Sequence, residues 1–386
     1  MAEICLSTKT WRSGAAWFNQ QLVASLAEAG ASVAYIAPLA LPEDREPYHP
    51  NVERHIVPRE LTDGPNLRRR MASLRRITTG LYLTLMQRRS TRTFILSIPE
   101  PLLFTLPLLV LLRLSGARIL LVVHDAKPHA WSLPSWLRSV EWLALWLLYR
   151  LATDLVCLTR ATAEALTQHF SVRGQKLTII PHGAFRLGPA APLPGNGNLL
   201  AFGSIRRNKG IREVIEAVLK CRAAGRNLRL TIAGEVTDKA YWRECQSLVA
   251  RRPEAFDLRL GFVPDEDVPN LLAKSDAVVL AYTDFASQSG VAVLAALAGR
   301  PVIATRSGGL DELFERGMAG EKIACPIPDD IAAAFIRFYD RSIAEWSAHA
   351  EVARVCIEST LDWASIAGQY LRLIRQPTVS AIPADA

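Results

Sequence analysis

Residues 275–309 constrain the fold of this chain more than any other segment, and they read SDAVVLAYTDFASQSGVAVLAALAGRPVIATRSGG. The apolar run at 277–281 predicts a buried strand, and the small residues after Ser289-Gly290 predict a helix. A second apolar run follows at about 301–304, after a Gly-x-Pro turn. A strand, a helix and a second strand in this order are typical of a parallel sheet covered by helices.

The start of the helix predicted at Ser289 is suited to an anion. The first backbone N–H groups of a helix have no acceptor within the helix, and the helix dipole adds about half a positive charge there. The amides of Ser289, Gly290 and Val291 therefore suit a phosphate or a diphosphate. The alternative is an ordinary βαβ crossover in which Ser289 only caps the helix.

A second segment of the same kind reads LLAFGSIRRNKG at residues 199–210. An apolar strand ends at Gly203, and Arg206 and Lys209 follow just before a predicted helix. Arginine offers a planar fork of donors and lysine a point charge, so the pair is suited to two neighbouring phosphates. A solvated basic turn is the alternative, but two such loops after parallel strands of one domain favour a binding site.

The chain has 386 residues, which is long for a single hydrophobic core and predicts two domains. Residues 183–198 are rich in Gly, Pro, Ala and Asn, and we predict the domain linker there. The flanking domains are then expected at 1–182 and 199–360. A C-terminal helix at 361–376 is expected to cross back to the first domain, and 377–386 to form a loose tail.

Strand and helix signals alternate in both halves, which indicates an α/β fold with parallel sheets. In the first half, strands are predicted at 4–7, 33–37, 94–98, 119–123, 155–158 and 177–180, with a loop up to about residue 65. In the second half they are predicted near 199–203, 228–233, 258–261, 277–281 and 301–304. Helices are predicted between the strands, at 330–339 and over 342–373.

Cysteine usage and the N-terminus indicate a reducing compartment and no membrane span. The six cysteines are scattered without a CxxC pair, so neither a disulfide framework nor a zinc site is expected. The longest apolar run, at 101–112, is shorter than the about 20 residues that a span requires. The N-terminus lacks the pattern of a signal peptide, and we expect a cytoplasmic protein.

The net charge of +8 is concentrated between residues 66 and 92, which hold eight arginines and no acid. Apolar residues recur there at helical spacing, a pattern typical of an interfacial amphipathic helix, which Gly80 would weaken. We therefore expect contact with an anionic membrane surface. No nucleic-acid-binding motif accompanies the charge, and no nucleic-acid partner is expected. The arginines assigned to the membrane are Arg68, Arg69, Arg70, Arg75 and Arg76, and the apolar positions are Leu67, Met71, Leu74, Leu81 and Leu85.

A second candidate for the membrane surface is the tryptophan-rich stretch at 131–151. Its four indole rings favour the headgroup region of a bilayer. A core helix of the first domain is the alternative.

The second half resembles the donor-binding domain of GT-B glycosyltransferases, in particular family 4 and the bacterial exopolysaccharide enzymes close to it. The first half resembles them in outline, through the Gly-containing segment at 11–14 and VVHDAKPH at 122–129. The resemblance implies two Rossmann-like, doubly wound domains that face a central cleft. The matching segments are IIPHG (179–183), FGSIRRNKG (202–210), TIAGE (231–235), LGFVPDEDVPNLLAKSDAVVLAY (260–282) and SGVAVLAALAGRPVIATRSGG (289–309).

Such enzymes move a sugar from a nucleoside diphosphate to a hydroxyl group without a required metal or other cofactor. The resemblance implies that Arg206 and Lys209 neutralise the departing diphosphate, together with the amides at Ser289, Gly290 and Val291. It also implies that Gly14 lets the first loop approach the diphosphate closely.

The chain departs from the family 4 pattern at two glutamates, which are spaced eight positions apart in that family. The equivalent places here are Ser287 or Gln288 and Ala295. The ribose of the donor is then held in another way, or the donor differs, for instance a lipid-phosphate sugar. Both retention and inversion of the anomeric centre stay open.

Candidate catalytic residues in the first half are His124 and Asp125, which follow the strand predicted at 119–123. The histidine could bind the donor sugar or act as a base, and the aspartate could orient it or deprotonate the acceptor. Capping of the strand and of the next turn is the alternative. His182 is either a hinge residue that contacts the nucleotide or a packed histidine, and the weaker candidates for the cleft are His129 and Glu235.

We therefore expect a glycosyltransferase that adds a hexose-type sugar from a nucleoside diphosphate sugar to a polyprenyl-diphosphate-linked oligosaccharide. The expected setting is exopolysaccharide or surface glycan synthesis at the inner face of the cell membrane. A nucleotide-sugar epimerase on the same scaffold and a non-catalytic partner subunit are the alternatives.

Overall fold

The computed structural model of the protein describes residues 2–9, 13–38, 49–59, 61, 65–97, 102–127, 135–172, 176–184, 188–283, 285 and 287–376. The chain divides into two compact units, Met1–Gly183 with Trp363–Ala386 and Ala184–Asp362. Each unit is built on one sheet whose paired strands are all parallel. The alternation of strands and helices predicted from the sequence is confirmed in both halves of the chain.

The first unit contains β1 (Ile4–Ser7), β2 (Val33–Ala37), β3 (Val52–Ile56), β4 (Thr93–Ser97), β5 (Arg118–Val123), β6 (Asp154–Cys157) and β7 (Leu177–Ile179). These strands lie in the order β3-β2-β1-β4-β5-β6-β7. The helices between them are α1 (Ser13–Glu28), α2 (Asn66–Gln87), α3 (Leu102–Leu114), α4 (Arg138–Leu151) and α5 (Arg160–Phe170).

Successive side chains of a strand point to opposite faces of the sheet. Both faces of the first sheet are buried, each in its own hydrophobic core. In β1, Cys5 belongs to a core that also contains residues of α2, α3, α4 and α5. Its neighbours Ile4 and Leu6 belong to a second core, which contains Phe18 of α1. This two-sided burial explains why the central strands read as continuous apolar runs.

Helix α3 holds most of the longest apolar run of the chain, and it packs against α4. It has 13 residues and contains Pro107. Among the helices of the described residues, none combines the length and the hydropathy needed to cross a bilayer.

The second unit contains β8 (Asn198–Phe202), β9 (Arg229–Gly234), β10 (Phe256–Leu260), β11 (Ala277–Leu280), β12 (Val302–Thr305) and β13 (Gly320–Ile323). Its sheet has the order β10-β9-β8-β11-β12-β13. The helices are α6 (Ile211–Ala223), α7 (Lys239–Val249), α8 (Val268–Ala273), α9 (Gly290–Leu297), α10 (Gly309–Glu315), α11 (Pro328–Asp340) and α12 (Ile343–Thr360).

The stretch predicted to be helical over 342–373 consists of two helices, and the second corresponds to the C-terminal helix predicted at 361–376. Helix α12 ends at Thr360, and α13 (Trp363–Arg375) begins after a short turn. Helix α13 belongs to the first unit, where it packs against α1.

Two strands, β3 and β13, were missed by the sequence prediction. Strand β3 reads VERHI and β13 reads GEKI, and each lies at one edge of its sheet. An edge strand is only partly buried and keeps polar side chains, so it lacks the apolar run that marks a central strand.

Residues 188–198, which we predicted to be part of a linker, are fastened to the second unit. The backbone N–H of Gly197 donates to Asp276 Oδ2 at 2.7 Å. The buried guanidinium of Arg300 donates to the carbonyl of Pro192 at 3.1 Å and also to that of Ala191. The composition of this segment reflects a path over the surface rather than a free connection.

Candidate functional site

The two loops singled out by the sequence follow neighbouring strands of the second sheet. Strand β8 connects to β9 on one side, whereas β11 lies on its other side and connects onward to β12. The strand order therefore reverses between β8 and β11. Ligands of open parallel sheets bind outside the carboxyl ends of the strands at such a reversal.

The loop after β8 holds one arginine that is paired and one that is not. Arg207 donates to Glu244 at 2.7 Å and lies over the ring of Tyr241, 4.9 Å from its centroid. Arg206, in contrast, has a buried Nε atom without a hydrogen-bond partner among the described residues. Leaving such a donor unpaired costs free energy. Arg206 is therefore the arginine of this turn whose charge is not paired with a carboxylate of the described residues and whose buried donor is unsatisfied.

Lys209 ends the same turn, and its ammonium group lies on two aromatic rings. Its Nζ atom is 3.6 Å from the centroid of Tyr282 and 5.0 Å from that of Phe285. No carboxylate of the described residues forms an ion pair with Lys209. The positive charge at this end of the sheet is thus not neutralised by a neighbouring acid.

The start of α9 has the geometry that the sequence predicted. Ser289 is the N-cap, and its hydroxyl accepts from the N–H of Ala292 at 3.3 Å. Gly290 and Val291 are the first residues of the helix, where backbone N–H groups have no acceptor within the helix. The capping role that we weighed as an alternative for Ser289 is therefore present, and it leaves those two amides for an anion.

Contacts between the two loops hold them close together. The N–H of Thr283 donates to the carbonyl of Asn208 at 3.1 Å. Gly210 has a φ of +64°, and a Cβ atom there would lie 2.0 Å from the carbonyl oxygen of Ala281. Only glycine permits both this backbone conformation and this close approach.

The start of α6 is adjacent, but one of its first backbone N–H groups already has an acceptor. The N–H of Arg212 in its first turn donates to the hydroxyl of Tyr241 at 2.8 Å. Of the two helices that follow the loops, α9 is thus the better candidate for binding an anion.

The positions that correspond to the missing glutamates have no carboxylate in the structure either. Ala295 is buried in α9, and Ser287 has a buried hydroxyl without a partner among the described residues. The hydroxyl of Ser307, in the loop after β12, is also buried and has no partner among the described residues. The sequence did not single out Ser307, Tyr282 or Phe285, although Tyr282 and Ser307 lie within the segments that match the family. Glu235 follows β9 and is exposed, and its backbone carbonyl accepts from the N–H of Ile205 at 2.8 Å.

In the first unit, His124 follows β5 as predicted. Its Nε2 atom lies 3.4 Å from the hydroxyl of Ser97, and its ring meets Phe18 edge to face. Burial lowers the pKa of His124 to about 4, against the opposing effect of the adjacent Asp125. The imidazole is therefore neutral at pH 7 and able to accept a proton or a hydrogen bond.

His182 is packed among aromatic rings of the first unit. Its ring is parallel to that of Trp17, and Phe18 lies 5.0 Å away between centroids. Its Nδ1 atom lies 2.6 Å from the carbonyl of Gly183. Burial lowers the pKa of His182 to about 4, and His124 contributes in the same direction. The structure thus brings both candidate histidines to Phe18.

The remaining candidates of the first half are Gly14 and His129. Gly14 is the second residue of α1, so the structure places it in a helical turn rather than in the loop that we predicted. His129 lies outside the described residues.

Two family models match the chain. Glycosyltransferase Family 4 matches residues 12–184, and Glycosyl transferases group 1 matches residues 196–341. The chain belongs to the GT-B glycosyltransferases.

Solved structures share the GT-B fold over almost the whole chain. The Anabaena protein HepE in complex with UDP and glucose has a TM-score of 0.73 at 18% identity and covers 97% of this chain and 99% of its own. Sucrose-phosphate synthase from Thermosynechococcus elongatus has a TM-score of 0.74 at 17% identity, with the same coverage. These matches confirm the predicted GT-B fold.

Curated relatives are glycosyltransferases of several specificities. Glycogen synthase of Mycobacterium tuberculosis is 31% identical over 238 residues, which are 60% of this chain and 55% of that protein. Lipopolysaccharide 1,2-N-acetylglucosaminetransferase of Salmonella typhimurium is 25% identical over 179 residues, 45% of this chain and 46% of that protein. The chain matches about half the length of these relatives.

Proposed function

We propose that this GT-B protein transfers a hexose-type sugar from a nucleoside diphosphate sugar to a hydroxyl group of a lipid-linked oligosaccharide. The observation that carries the proposal is the position of Arg206, Lys209 and the start of α9 at the strand-order reversal of the second sheet. A diphosphate is the anion that such a combination of cations and free amides suits best.

The chemistry that we propose begins with the leaving group. When the bond between the sugar C1 and the β-phosphate oxygen breaks, negative charge builds up on the departing diphosphate. Arg206, Lys209 and the amides of Gly290 and Val291 would stabilise that charge, and they are in place before the reaction starts. We propose that these groups suffice without a metal ion.

The acceptor hydroxyl attacks C1, forms the new glycosidic bond and loses a proton. We propose that His124 binds the sugar or accepts this proton; its pKa of about 4 favours the role of a neutral hydrogen-bonding group. Asp125 would orient the ring or take the proton itself. The anomeric configuration of the product, measured by NMR, decides between retention and inversion.

The donor class is supported by what the neighbours bind. HepE of Anabaena was solved with UDP-glucose, and it shares the fold of this chain. We propose a nucleoside diphosphate hexose as donor and test it by calorimetry and thermal shift with UDP, GDP, dTDP and ADP. A ligand that binds only the folded state raises its stability.

The decisive variants are Arg206→Ala and Lys209→Ala. Loss of one charge-stabilising donor typically reduces turnover by about 10²–10³-fold, and we expect that loss in sugar transfer for each variant. Arg207→Ala is the matched control, because this arginine of the same turn is paired with Glu244. If Arg206→Ala and Lys209→Ala transfer sugar as fast as the wild type and Arg207→Ala, the proposed diphosphate site is wrong.

The absence of both family glutamates favours a non-catalytic partner subunit as the second candidate. Such a subunit has no donor to turn over, so failure of all four nucleotides to bind supports it. Release of an epimerised free nucleotide sugar, without any acceptor, supports an epimerase instead.

We propose that an anionic membrane surface holds the protein near its lipid-linked acceptor, and the exposed residues of α2 support this. Leu67 and Met71 are 71% and 65% exposed, and the arginines Arg68, Arg69, Arg70 and Arg75 around them are exposed too. The C-terminal half of α2 differs, since Leu81 and Leu85 pack against the core. Only the N-terminal half of α2 therefore fits the interfacial helix predicted from the sequence.

Helix α4 adds apolar surface on the same face of the sheet. Its core side includes Leu145 and Leu148, whereas Leu143 is exposed, and Trp136 in the turn just before the helix is 76% exposed. The described part of this stretch packs partly against the core, as the alternative of a core helix predicted, and contact of its exposed residues with a membrane stays a proposal. The one acid of α2, α3 and α4 is Glu141, which is buried. Exposed arginines and apolar residues without exposed acids are suited to anionic lipid headgroups.

Sedimentation with vesicles tests this membrane contact. Replacing Arg68, Arg69 and Arg70 by Gln is expected to reduce binding to vesicles that contain phosphatidylglycerol, and Trp136→Ser to reduce it further at high salt. Replacing Arg243, Arg251 and Arg252, three exposed arginines of the second unit, by Gln is the matched control. Equal binding by both triple variants would contradict the proposal. The expected site of action is the inner face of the cell membrane, in surface glycan synthesis.

A further inference from the structure

Tyr282 contacts both halves of the proposed diphosphate site. Its ring lies 3.6 Å from Lys209 Nζ, and its hydroxyl lies 3.4 Å from the hydroxyl of Ser289. Tyr282 lies two residues after the end of β11 and is buried. One side chain thus spans the distance from the cation on the first loop to the cap of α9.

The support of Lys209 is aromatic rather than ionic. The rings of Tyr282 and Phe285 meet edge to face with centroids 4.7 Å apart, and the ammonium lies near both. The negative face of an aromatic ring attracts a cation without carrying a net charge. A carboxylate would hold the ammonium equally well but would cancel its charge. The aromatic pair therefore fixes Lys209 and leaves its charge for an anionic ligand.

Tyr282 itself is held by the backbone around it. Its carbonyl accepts from the hydroxyl of Thr305 at 2.9 Å. The next residue, Thr283, donates its N–H to the carbonyl of Asn208, which precedes Lys209. The ring is therefore anchored from β12 and from the loop that carries the lysine, and its position does not depend on a bound ligand.

We infer that Tyr282, assisted by Phe285, is a positioning residue that fixes the Lys209 ammonium beside the start of α9, so that both act on the terminal phosphate of a nucleoside diphosphate. This inference rests on the proposed function. It predicts a preference for nucleoside diphosphates over monophosphates, because a monophosphate lacks the terminal phosphate that Lys209 and the start of α9 would bind. The ring of Tyr282, rather than its hydroxyl, supplies the effect on Lys209.

Calorimetry with UDP and UMP tests the inference on the full-length protein. Tyr282→Met leaves a long apolar side chain, smaller than tyrosine, and removes the aromatic face. We expect it to weaken UDP binding at least tenfold and to leave UMP binding within about threefold of the wild type. Tyr282→Phe keeps the ring and is expected to retain the UDP to UMP preference. Phe285→Met is expected to show a smaller loss than Tyr282→Met.

A double variant distinguishes positioning from general damage. If Tyr282 acts through Lys209, then Tyr282→Met adds little to the loss already caused by Lys209→Met. Independent, multiplying losses in the double variant overturn the inference. So does an unchanged UDP to UMP preference in Tyr282→Met, or a loss in Tyr282→Phe equal to that in Tyr282→Met.

A measurement without nucleotide separates this inference from the proposed function. The rate at which an amine-reactive reagent labels Lys209, followed by mass spectrometry, is expected to rise at least threefold in Tyr282→Met and not in Tyr282→Phe. If the wild type binds none of the four nucleoside diphosphates, the proposed function and the phosphate role of Tyr282 both fail. If the wild type binds UDP but the labelling rates are equal in all three proteins, only the positioning role fails.

Discussion

The Cα atom of Gly183 lies directly against the indole ring of Trp363, so that a Cβ atom there would be 2.2 Å from Cε2 of the ring. Gly183 ends the first segment of the first unit, and Trp363 opens the helix with which the chain returns to that unit. The indole is buried in the core that also includes Phe18 and Leu22. The contact therefore joins the two chain segments that make up this unit.

Gly183→Ala is expected to destabilise the protein, because the buried indole cannot move away without disturbing the core around it. Overpacking of this kind typically costs about 1–3 kcal/mol of the free energy of unfolding. Gly188→Ala is the control, since a Cβ atom there meets nothing within 4 Å. Urea unfolding of both variants measures the difference in the free energy of unfolding. Equal stability would show that the indole of Trp363 can move at little cost, contrary to what its packing implies.

Gly210→Ala is expected to cost both stability and nucleotide binding, because the new Cβ atom would collide with the carbonyl of Ala281. Gly225→Ala is a matched control with a similar backbone, a φ of +86°, but with open space around it. The control is expected to lose only the about 1–2 kcal/mol of a left-handed conformation and to keep its UDP affinity. Similar UDP affinities for the two variants would mean that the contact between the loops is not required for the site.

The stability of the protein is expected to fall as the pH drops from about 6.5 to 4, in part because of His124 and His182. Their pKa values are lowered to about 4 in the folded protein by burial, whereas the unfolded chain titrates near 6.5. Between these values the unfolded chain binds protons that the folded protein does not, which favours unfolding. Above pH 6.5 the contribution is complete and constant.

Unfolding in urea at pH 7.5, 6 and 5 measures this dependence. Each buried histidine contributes up to about 3 kcal/mol across the window. His182→Gln is expected to flatten the pH dependence, whereas His169→Gln, which changes an exposed histidine at the end of α5, is expected to leave it unchanged. The same slope in all three proteins would contradict the assignment.

Arg300→Met is expected to destabilise the second unit, because it removes the donor that several backbone carbonyls share. The guanidinium, buried in the unit, donates to the carbonyls of Pro192 and Ser275 at 3.1 and 3.2 Å. Ser275 is buried, and an unpaired buried carbonyl costs about 1–3 kcal/mol, so we expect a loss of that size. Arg300→Lys is expected to recover only part of it, since lysine lacks the planar fork of donors.

The control for Arg300 is Arg259→Met, which removes an exposed arginine paired with Asp257 on the same strand. Exposed ion pairs contribute about 0–1 kcal/mol, so little change is expected. A free energy of unfolding for Arg300→Met as high as that of this control would show that the carbonyls find other donors.

Much of the fold could be predicted because a central parallel strand can be identified from its own residues. Strands β1 and β2 match the predicted residues, and most of the others differ only at their ends. A strand that is buried on both faces must be an apolar run, and the run is visible without any knowledge of its neighbours. Edge strands such as β3 carry no such requirement, and this one was missed.

The candidate site was located from the sequence because its loops depend on short-range chemistry. Gly210 permits a tight turn, and Ser289 caps a helix, each within a few residues of the strand before it. The amino-acid sequence by itself therefore determined where the central strands lie, which loops follow them and which residue types those loops offer to an anion.

Only the tertiary structure decided which of these residues are available and how they are held. The pairing of Arg207 with Glu244 joins residues 37 positions apart, and it leaves Arg206 as the arginine with an unpaired donor. The support of Lys209 by Tyr282 and the packing of Leu81 and Leu85 of α2 against the core also depend on residues distant in the sequence. Contacts between distant residues arise from the packing of whole elements, so no local pattern in the chain records them.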